Sequence, residues 1–198
     1  MSVFLFYKMN KLKGKIIAGM DEAGRGPWAG PVVAGAVILP PRIRLPFLTD
    51  SKKLSEKRRE KLYDLITNKA IWGVGEASHK EVDELGLTKA TNLAYKRALK
   101  SLPTTPDHLL IDGRDKFSLP HPYDSIIKGD LKVRCISAAS IIAKVTRDRL
   151  MKDYDKKYPG FHFASHKGYG TRRHHEALKK KGISPIHRIS YKPIQPFL

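Results

Sequence analysis

The chain has 198 residues, and its 38 Lys and Arg outnumber 19 Asp and Glu to leave a formal charge of +19. With 41% apolar and 29% charged residues it is too hydrophobic for a disordered polycation and too broken by charge for a membrane protein. Its longest apolar stretches, residues 3–7 and 32–39, are too short to cross a bilayer, and Cys135 as the single cysteine excludes an internal disulfide and any cysteine-cluster zinc site, so the reading is of one cytoplasmic fold unit without membrane contact.

In chain order, Lys15 to Met20 reads as a strand running into Asp21-Glu22, and a Gly- and Pro-rich turn follows. Val32 to Leu39 is a second, β-rich apolar run, which makes a hairpin with a wide loop. Between Ser51 and Ala70 the period changes to that of a helix. Ser55 can cap it, Glu56 sits in its first turn, and Leu62, Leu65 and Ile66 form its apolar stripe. Ile71 to Ala77 is a third strand. Ser78-His79-Lys80-Glu81 matches a capping box, and Ala90, Leu93, Ala94 and Ala98 continue a helical face beyond Gly86. Pro103 and Pro106 end that helix. His108 to Ile111 reads as a buried strand leading to Asp112-Gly113, and Ser125 to Lys128 as a short one leading to Gly129-Asp130. Ile136 to Tyr154 is a helix, and short helices among Gly and Pro complete the chain. The expected fold is therefore α/β: a mixed sheet covered by helices, residues 1–150, with a basic helical C-terminal extension, residues 151–198, packed on it as one structural unit.

Residues 128–198 carry a net +12 against +7 for residues 1–127. Lys and Arg that displace counterions from phosphates give sequence-independent affinity, so nucleic acid is the polyanion that this asymmetry suits.

Three acidic positions each follow an apolar strand-like run: Asp21-Glu22, Asp112 and Asp130. Strand ends are where open α/β sheets place ligands. Side-by-side parallel first and fourth strands would bring these carboxylates together. Two carboxylates about 4 Å apart repel by about 4 kcal/mol at an effective dielectric near ~20, so four of them require cations or protons. Mg²⁺ and Mn²⁺ suit oxygen ligands, and a pair of such ions can activate water and stabilise a leaving oxygen in phosphodiester hydrolysis. Adjacent Asp21 and Glu22 face opposite sides of a regular strand, which calls for a bend near Ala23-Gly24 if both serve one site. Gly24 to Gly30 superficially resembles a dinucleotide-binding glycine loop, but a strand follows it and no helix N-terminus is available for a pyrophosphate. Its glycines instead permit close backbone approach to something held beside the acids.

Six ordered blocks carry a resemblance: Asp21 to Pro27, Ser51-Lys52-Lys53-Leu54, Asp112-Gly113, Lys128-Gly129-Asp130, Ser137 to Arg149, and Ser165 to Thr171. Together they resemble the signature blocks of bacterial type 2 ribonuclease H (ribonuclease HII), from residue 16 to about residue 190. The resemblance implies a ribonuclease H-like five-stranded sheet whose first three strands are antiparallel. It implies that Asp21, Glu22, Asp112 and Asp130 bind two Mn²⁺ or Mg²⁺ ions and cleave the RNA strand of RNA–DNA hybrids, with incision 5′ to a ribonucleotide embedded in duplex DNA and 3′-hydroxyl and 5′-phosphate products. It further implies that Gly24, Arg25 and Gly26 read the 2′-hydroxyl through their backbone and that Tyr169 stacks on the neighbouring deoxyribose. Ser51, Lys52, Lys53 and Lys167 are its remaining substrate-binding candidates. The family's usual Tyr-Pro-Gly-Tyr-Gly-Phe stretch is altered here to Tyr158-Pro159-Gly160-Phe161-His162-Phe163. A monomer is expected.

Plainer readings stand beside several of these. Without the surrounding blocks, Lys52-Lys53 would be a solvated pair. His162, His166, His174 and His175 have aromatic and glycine neighbours that disfavour zinc. Asp148 reads as a partner of Arg147 or Arg149. The final Gln195-Pro196-Phe197-Leu198 could contact a sliding clamp, but reads first as an apolar tail packed on its own domain.

Overall fold

The computed structural model describes residues 12–46, 48, 51 and 54–198. Five strands form one sheet in the order β3-β2-β1-β4-β5. They are β1 (Ile17–Ala23), β2 (Val32–Ile38), β3 (Ile71–Ala77), β4 (His108–Asp112) and β5 (Tyr123–Ile126). β1, β2 and β3 are antiparallel neighbours, while β4 joins β1 and β5 joins β4 in parallel. β2 is buried along almost its whole length, which is why its sequence is a continuous apolar run and not an alternation.

Helices cover both faces: α1 (Glu56–Lys69), α2 (His79–Leu85), α3 (Leu87–Lys100), α4 (Arg134–Lys157), α5 (Phe163–His166) and α6 (Arg172–Lys181). Ser55 caps α1, accepting from the Arg58 N–H, and Ser78 with Glu81 forms the expected capping box on α2. Gly86, at φ 78°, separates α2 from α3. α3 sets Ala94, Tyr95 and Ala98 against Ala18, Met20 and Ala34 on one face of the sheet. On the other face α1 and α4 pack Leu62, Ile66, Ala138 and Ile142 around Val37. Glycines in the strands set the depth of this packing. A Cβ on Gly35 would stand 2.5 Å from the Ala139 carbonyl oxygen of α4, and one on Gly75 would stand 2.3 Å from the Ala94 carbonyl oxygen of α3.

Two boundaries differ from expectation. β5 ends at Ile126, two residues earlier than the sequence suggested, because Lys128 turns left-handed at φ 56° and starts a 3-10 turn over Gly129–Leu131. Asp130 therefore rides on a turn that feeds α4 and does not extend a strand. α4 is longer than expected and continues through residue 150, so the sheet and the C-terminal segment share it. A separate apolar cluster of Met151, Phe161, Phe163, Ala177 and Ile186 closes on Ala29, in the loop after β1. Among the described residues no helix is long and apolar enough to cross a membrane.

Candidate active site

Parallel pairing aligns Met20 with Ile111, so the next residues, Asp21 and Asp112, stand at the same end of adjacent strands. Asp21 is buried, at 6% exposure. Its carboxylate accepts from the Glu22 N–H at 2.7 Å and from the Ser140 hydroxyl on α4. Glu22 turns to the opposite face, where the fully buried Tyr95 of α3 donates its hydroxyl to it. This corrects the expected bend: β1 stays paired with β2 through Ala23, and the two acids part to either face of the sheet as strand geometry requires. Both nonetheless line one cleft of about 290 Å³ that straddles the strand end.

Burial, then repulsion from Glu22 and Asp112, lifts the Asp21 pKa well above the usual carboxylate range. Burial also raises Glu22, against the lowering effect of the Tyr95 hydroxyl and of Arg25. Asp112 is half-buried, and its Oδ1 accepts from the Gly129 N–H at 2.6 Å, which ties it to the turn carrying Asp130. Asp130 is buried at 7% exposure, and its carbonyl accepts from the Ser137 hydroxyl at 2.5 Å, clamping the turn onto the first turn of α4. Asp21, Glu22 and Asp112 are hard oxygen donors whose mutual repulsion a divalent cation would relieve. Among the described residues, no three His, Cys, Asp or Glu side chains are grouped as a ready-made metal site.

The cleft is completed by Gly24, Arg25, Gly26, Ser51, Ser140, Lys144 and Tyr169. Gly24 adopts φ 99°, where a Cβ would run into Arg147 and the Pro31 carbonyl, so only glycine fits. The Arg25 guanidinium pairs with Asp115 at 2.5 Å and with Glu22 at 3.4 Å. Tyr169 is 44% exposed and faces Gly26, where an added Cβ would lie 3.7 Å from the ring edge. Ser51 is buried, with its hydroxyl 2.9 Å from that of Ser140.

Asp112, Asp130 and Lys167 are not among the residues that line this cleft. The Lys167 backbone is left-handed, at φ 53°, and its ammonium donates to the Ala164 carbonyl. Lys52 and Lys53 lie outside the described residues. Asp148 pairs with Lys144 at 2.7 Å and with Arg59 at 3.8 Å, not with Arg147 or Arg149. Arg147 turns inward to carbonyls, and Arg149 reaches Glu60. His166 and His174 stack at 4.4 Å between ring centres, and His174 is hydrogen-bonded to His187 at 2.9 Å, so these rings form packed structure. Phe197 packs edge-on against His175, while Leu198 at the tail is exposed.

Sequence reasoning missed Tyr95, Ser140 and Lys144 as parts of the site. Ser140 and Lys144 are four apart on one helix, and i, i+4 spacing puts both on one face; once Asp21 is placed on the α4 side, that spacing is the signal that finds them. Nothing local to Tyr95 marks it, because its role comes from the face of the sheet that Glu22 takes.

The ribonuclease HII profile matches residues 18–194, which includes every element of this site. The chain belongs to the ribonuclease HII family. It is accordingly an endoribonuclease, a hydrolase that acts on RNA–DNA hybrids, and metal dependence is typical of the family. It is 55% identical over 178 residues to the ribonuclease HII of Acetivibrio thermocellus, covering 89% of this chain and 70% of that protein. In structure it is similar to the ribonuclease H2 of Pyrococcus horikoshii OT3, with TM-score 0.78 and 31% identity, covering 91% of this chain and 96% of the other. It is also similar to the ribonuclease HII from Archaeoglobus fulgidus that was solved in complex with PCNA, with TM-score 0.76 and 29% identity, covering 89% of this chain and 95% of the other.

Proposed function

We propose that this endoribonuclease also incises duplex DNA on the 5′ side of a single embedded ribonucleotide, leaving 3′-hydroxyl and 5′-phosphate ends, with two Mg²⁺ or Mn²⁺ ions in the active complex. One observation carries the reading: Asp21 and Glu22 line one cleft with Gly24, Arg25, Gly26 and Tyr169, and Asp112 stands beside Asp21 at the end of the adjacent parallel strand.

The ions, when bound, supply Lewis-acid activation of water and charge relief at the leaving oxygen. Asp21, Glu22, Asp112 and Asp130 would hold them through carboxylate oxygens, and substrate phosphate oxygens complete such shells in nucleotide-processing sites. Ser140 and the Glu22 N–H orient the Asp21 carboxylate, and Tyr95 orients that of Glu22. Gly26 leaves the backbone open to a sugar 2′-hydroxyl, the one group by which a ribonucleotide in DNA differs from its neighbours. Tyr169 offers a flat face to the next sugar, where a base-paired duplex hides its Watson–Crick edges. Lys144, half-buried at the cleft wall and paired with Asp148, is placed to meet a phosphate. Residues 151–198 act with the core as one unit, since their apolar cluster closes on Ala29.

The test is cleavage of two matched substrates, a continuous RNA–DNA hybrid and a DNA duplex with one ribonucleotide, with and without Mg²⁺ or Mn²⁺. Cleavage of both is expected only with the metal. Asp112→Asn should abolish cleavage and leave binding equal or tighter, because a negative charge beside phosphate is removed. Near-normal activity of Asp112→Asn combined with Asp130→Asn would contradict the metal assignment.

A further inference from the structure

Arg188 is fully buried, far along the chain from the loop it serves. It is delivered there by backbone pairing: Ala29 bridges His187, the Gly30 N–H donates to the Ile186 carbonyl at 2.9 Å, and the Arg188 N–H donates to the Trp28 carbonyl at 2.8 Å. Its guanidinium then makes five hydrogen bonds. Nε donates to the Gly30 carbonyl at 3.0 Å. Nη1 donates to the Arg25 carbonyl at 3.1 Å and to the Tyr191 hydroxyl at 2.8 Å. Nη2 donates to the Gly24 carbonyl at 2.6 Å and to the Gly30 carbonyl at 2.8 Å. The Tyr191 hydroxyl itself donates to the Arg25 carbonyl at 2.7 Å. All the donors of the planar fork are used, and all but one of these bonds go to backbone carbonyls.

The direction of these bonds matters. In a trans peptide the N–H points opposite to the C=O, and no cis bond occurs among the described residues. The Gly24 carbonyl belongs to the same peptide unit as the Arg25 N–H, and the Arg25 carbonyl to the same unit as the Gly26 N–H. Drawing both carbonyls inward to Arg188 turns both N–H groups away from it, toward the side on which Gly24, Arg25 and Gly26 line the cleft.

We propose that Arg188 is a positioning residue for substrate discrimination: by holding the Gly24 and Arg25 carbonyls it aims the Arg25 and Gly26 N–H groups at the ribose 2′-hydroxyl. The inference rests on the proposed reading of Gly24-Arg25-Gly26 and adds the residue that makes that backbone a fixed donor pair. Arg147 anchors the far end of the same loop, donating to the Ala29, Pro31 and Lys167 carbonyls, but its hydrogen bonds reach neither of the two peptides concerned.

The experiment compares the full-length wild type with Arg188→Lys. Lysine keeps the charge but lacks the planar fork that reaches three carbonyls at once. Affinity is measured in Ca²⁺ for two duplexes of one sequence, all-DNA and DNA with one ribonucleotide, alongside kcat/KM in Mg²⁺ on the second and a melting curve. The wild type should prefer the ribonucleotide duplex. Arg188→Lys should lose that preference while binding all-DNA duplex as before, and kcat/KM should fall by up to ~100-fold, the scale of an ångström-sized misplacement. A folded Arg188→Lys that keeps the preference overturns the proposal, and so does equal weakening on both duplexes, which marks a general structural role. Should Arg188→Lys fail to fold, Tyr191→Phe removes one hydroxyl from the same clamp and should reduce the preference in the same direction; an unchanged preference there overturns the proposal. A wild type that neither prefers nor cuts the ribonucleotide duplex refutes instead the reading of Gly24-Arg25-Gly26 on which this inference stands.

Discussion

Gly35→Ala tests whether the seating of α4 on the sheet sets the geometry of the cleft. An alanine Cβ at position 35 would lie 2.5 Å from the Ala139 carbonyl oxygen and 3.1 Å from the Ala143 N of α4. Ordinary contact begins near ~3.5 Å, so the helix must retreat by about 1 Å or the strand must bend. Ser140 and Lys144 are the residues that immediately follow these two contact points, and both line the cleft. Overpacking of this kind costs about 1–3 kcal/mol of stability, and an ångström of displacement at catalytic groups costs up to ~100-fold in rate. Thermal melting and kcat on an RNA–DNA hybrid measure the two effects. The expected outcome is a folded protein with a lower Tm and a disproportionate loss of kcat relative to a strand alanine variant elsewhere. A Tm and kcat equal to the wild type would refute the claim that α4 contacts β2 backbone to backbone at this point.

Acid sensitivity should arise in the histidine stack. The Ser184 N–H donates to His187 Nδ1 at 2.7 Å, so His187 carries its proton on Nε2 and donates to His174 Nε2, and His174 donates from Nδ1 to the Tyr169 carbonyl at 3.0 Å. Burial pushes both His174 and His187 down from 6.5 to about 4. Their folded forms thus resist protonation, so their contribution to stability is complete above pH ~6.5 and is lost as pH falls toward 4, by about 3 kcal/mol for one such site. Buried Asp21 and Glu22, with raised values, act in the opposite sense as pH falls. The informative quantity is therefore the difference in urea midpoint between wild type and His187→Asn, which should shrink between pH 7 and 4.5; a constant difference would contradict the neutral pair. Tyr169→Ala should lose more activity on a one-ribonucleotide duplex than on a continuous hybrid, by roughly 5- to 150-fold, the worth of one stacking interaction, and equal losses would make Tyr169 a general positioning group. Replacing exposed Lys179, Lys180 and Lys181 at the end of α6 by Gln should flatten the slope of log affinity against log salt by roughly 0.9 for each phosphate no longer neutralised, and an unchanged slope would make that helix end solvated surface.

The succession of strands along the chain and the acids near the ends of β1 and β4 were legible because they depend on local pattern, such as the continuous apolar run of β2. The side-by-side parallel placement of β1 and β4, by contrast, is a long-range pairing that the sequence offers only as a condition. The capping box at Ser78 was equally plain, since its partners lie within one turn. What escaped depends on distant pairing. Tyr95 meets Glu22 across the sheet, and Arg188 reaches carbonyls near Gly24 from the C-terminal segment, so neither leaves a mark in nearby sequence. β5 was misplaced because the apolar Ile126-Ile127 pair reads as strand, whereas the left-handed turn at Lys128 takes Ile127 out to solvent. The motif that places Lys167 among the substrate contacts says nothing of its side chain's direction, which in the fold is toward the Ala164 carbonyl.

The central claim is that these carboxylates and the glycine-flanked backbone cut at a ribonucleotide in duplex DNA, and mapping the product ends tests it most directly. A DNA duplex with one internal ribonucleotide, labelled at either end and incubated with the protein and Mg²⁺ or Mn²⁺, should yield a single nick on the 5′ side of the ribonucleotide, with a 3′-hydroxyl on one fragment and a 5′-phosphate on the other. A nick on the 3′ side, a cyclic phosphate end, or equal cleavage of the same duplex lacking the ribonucleotide would contradict it.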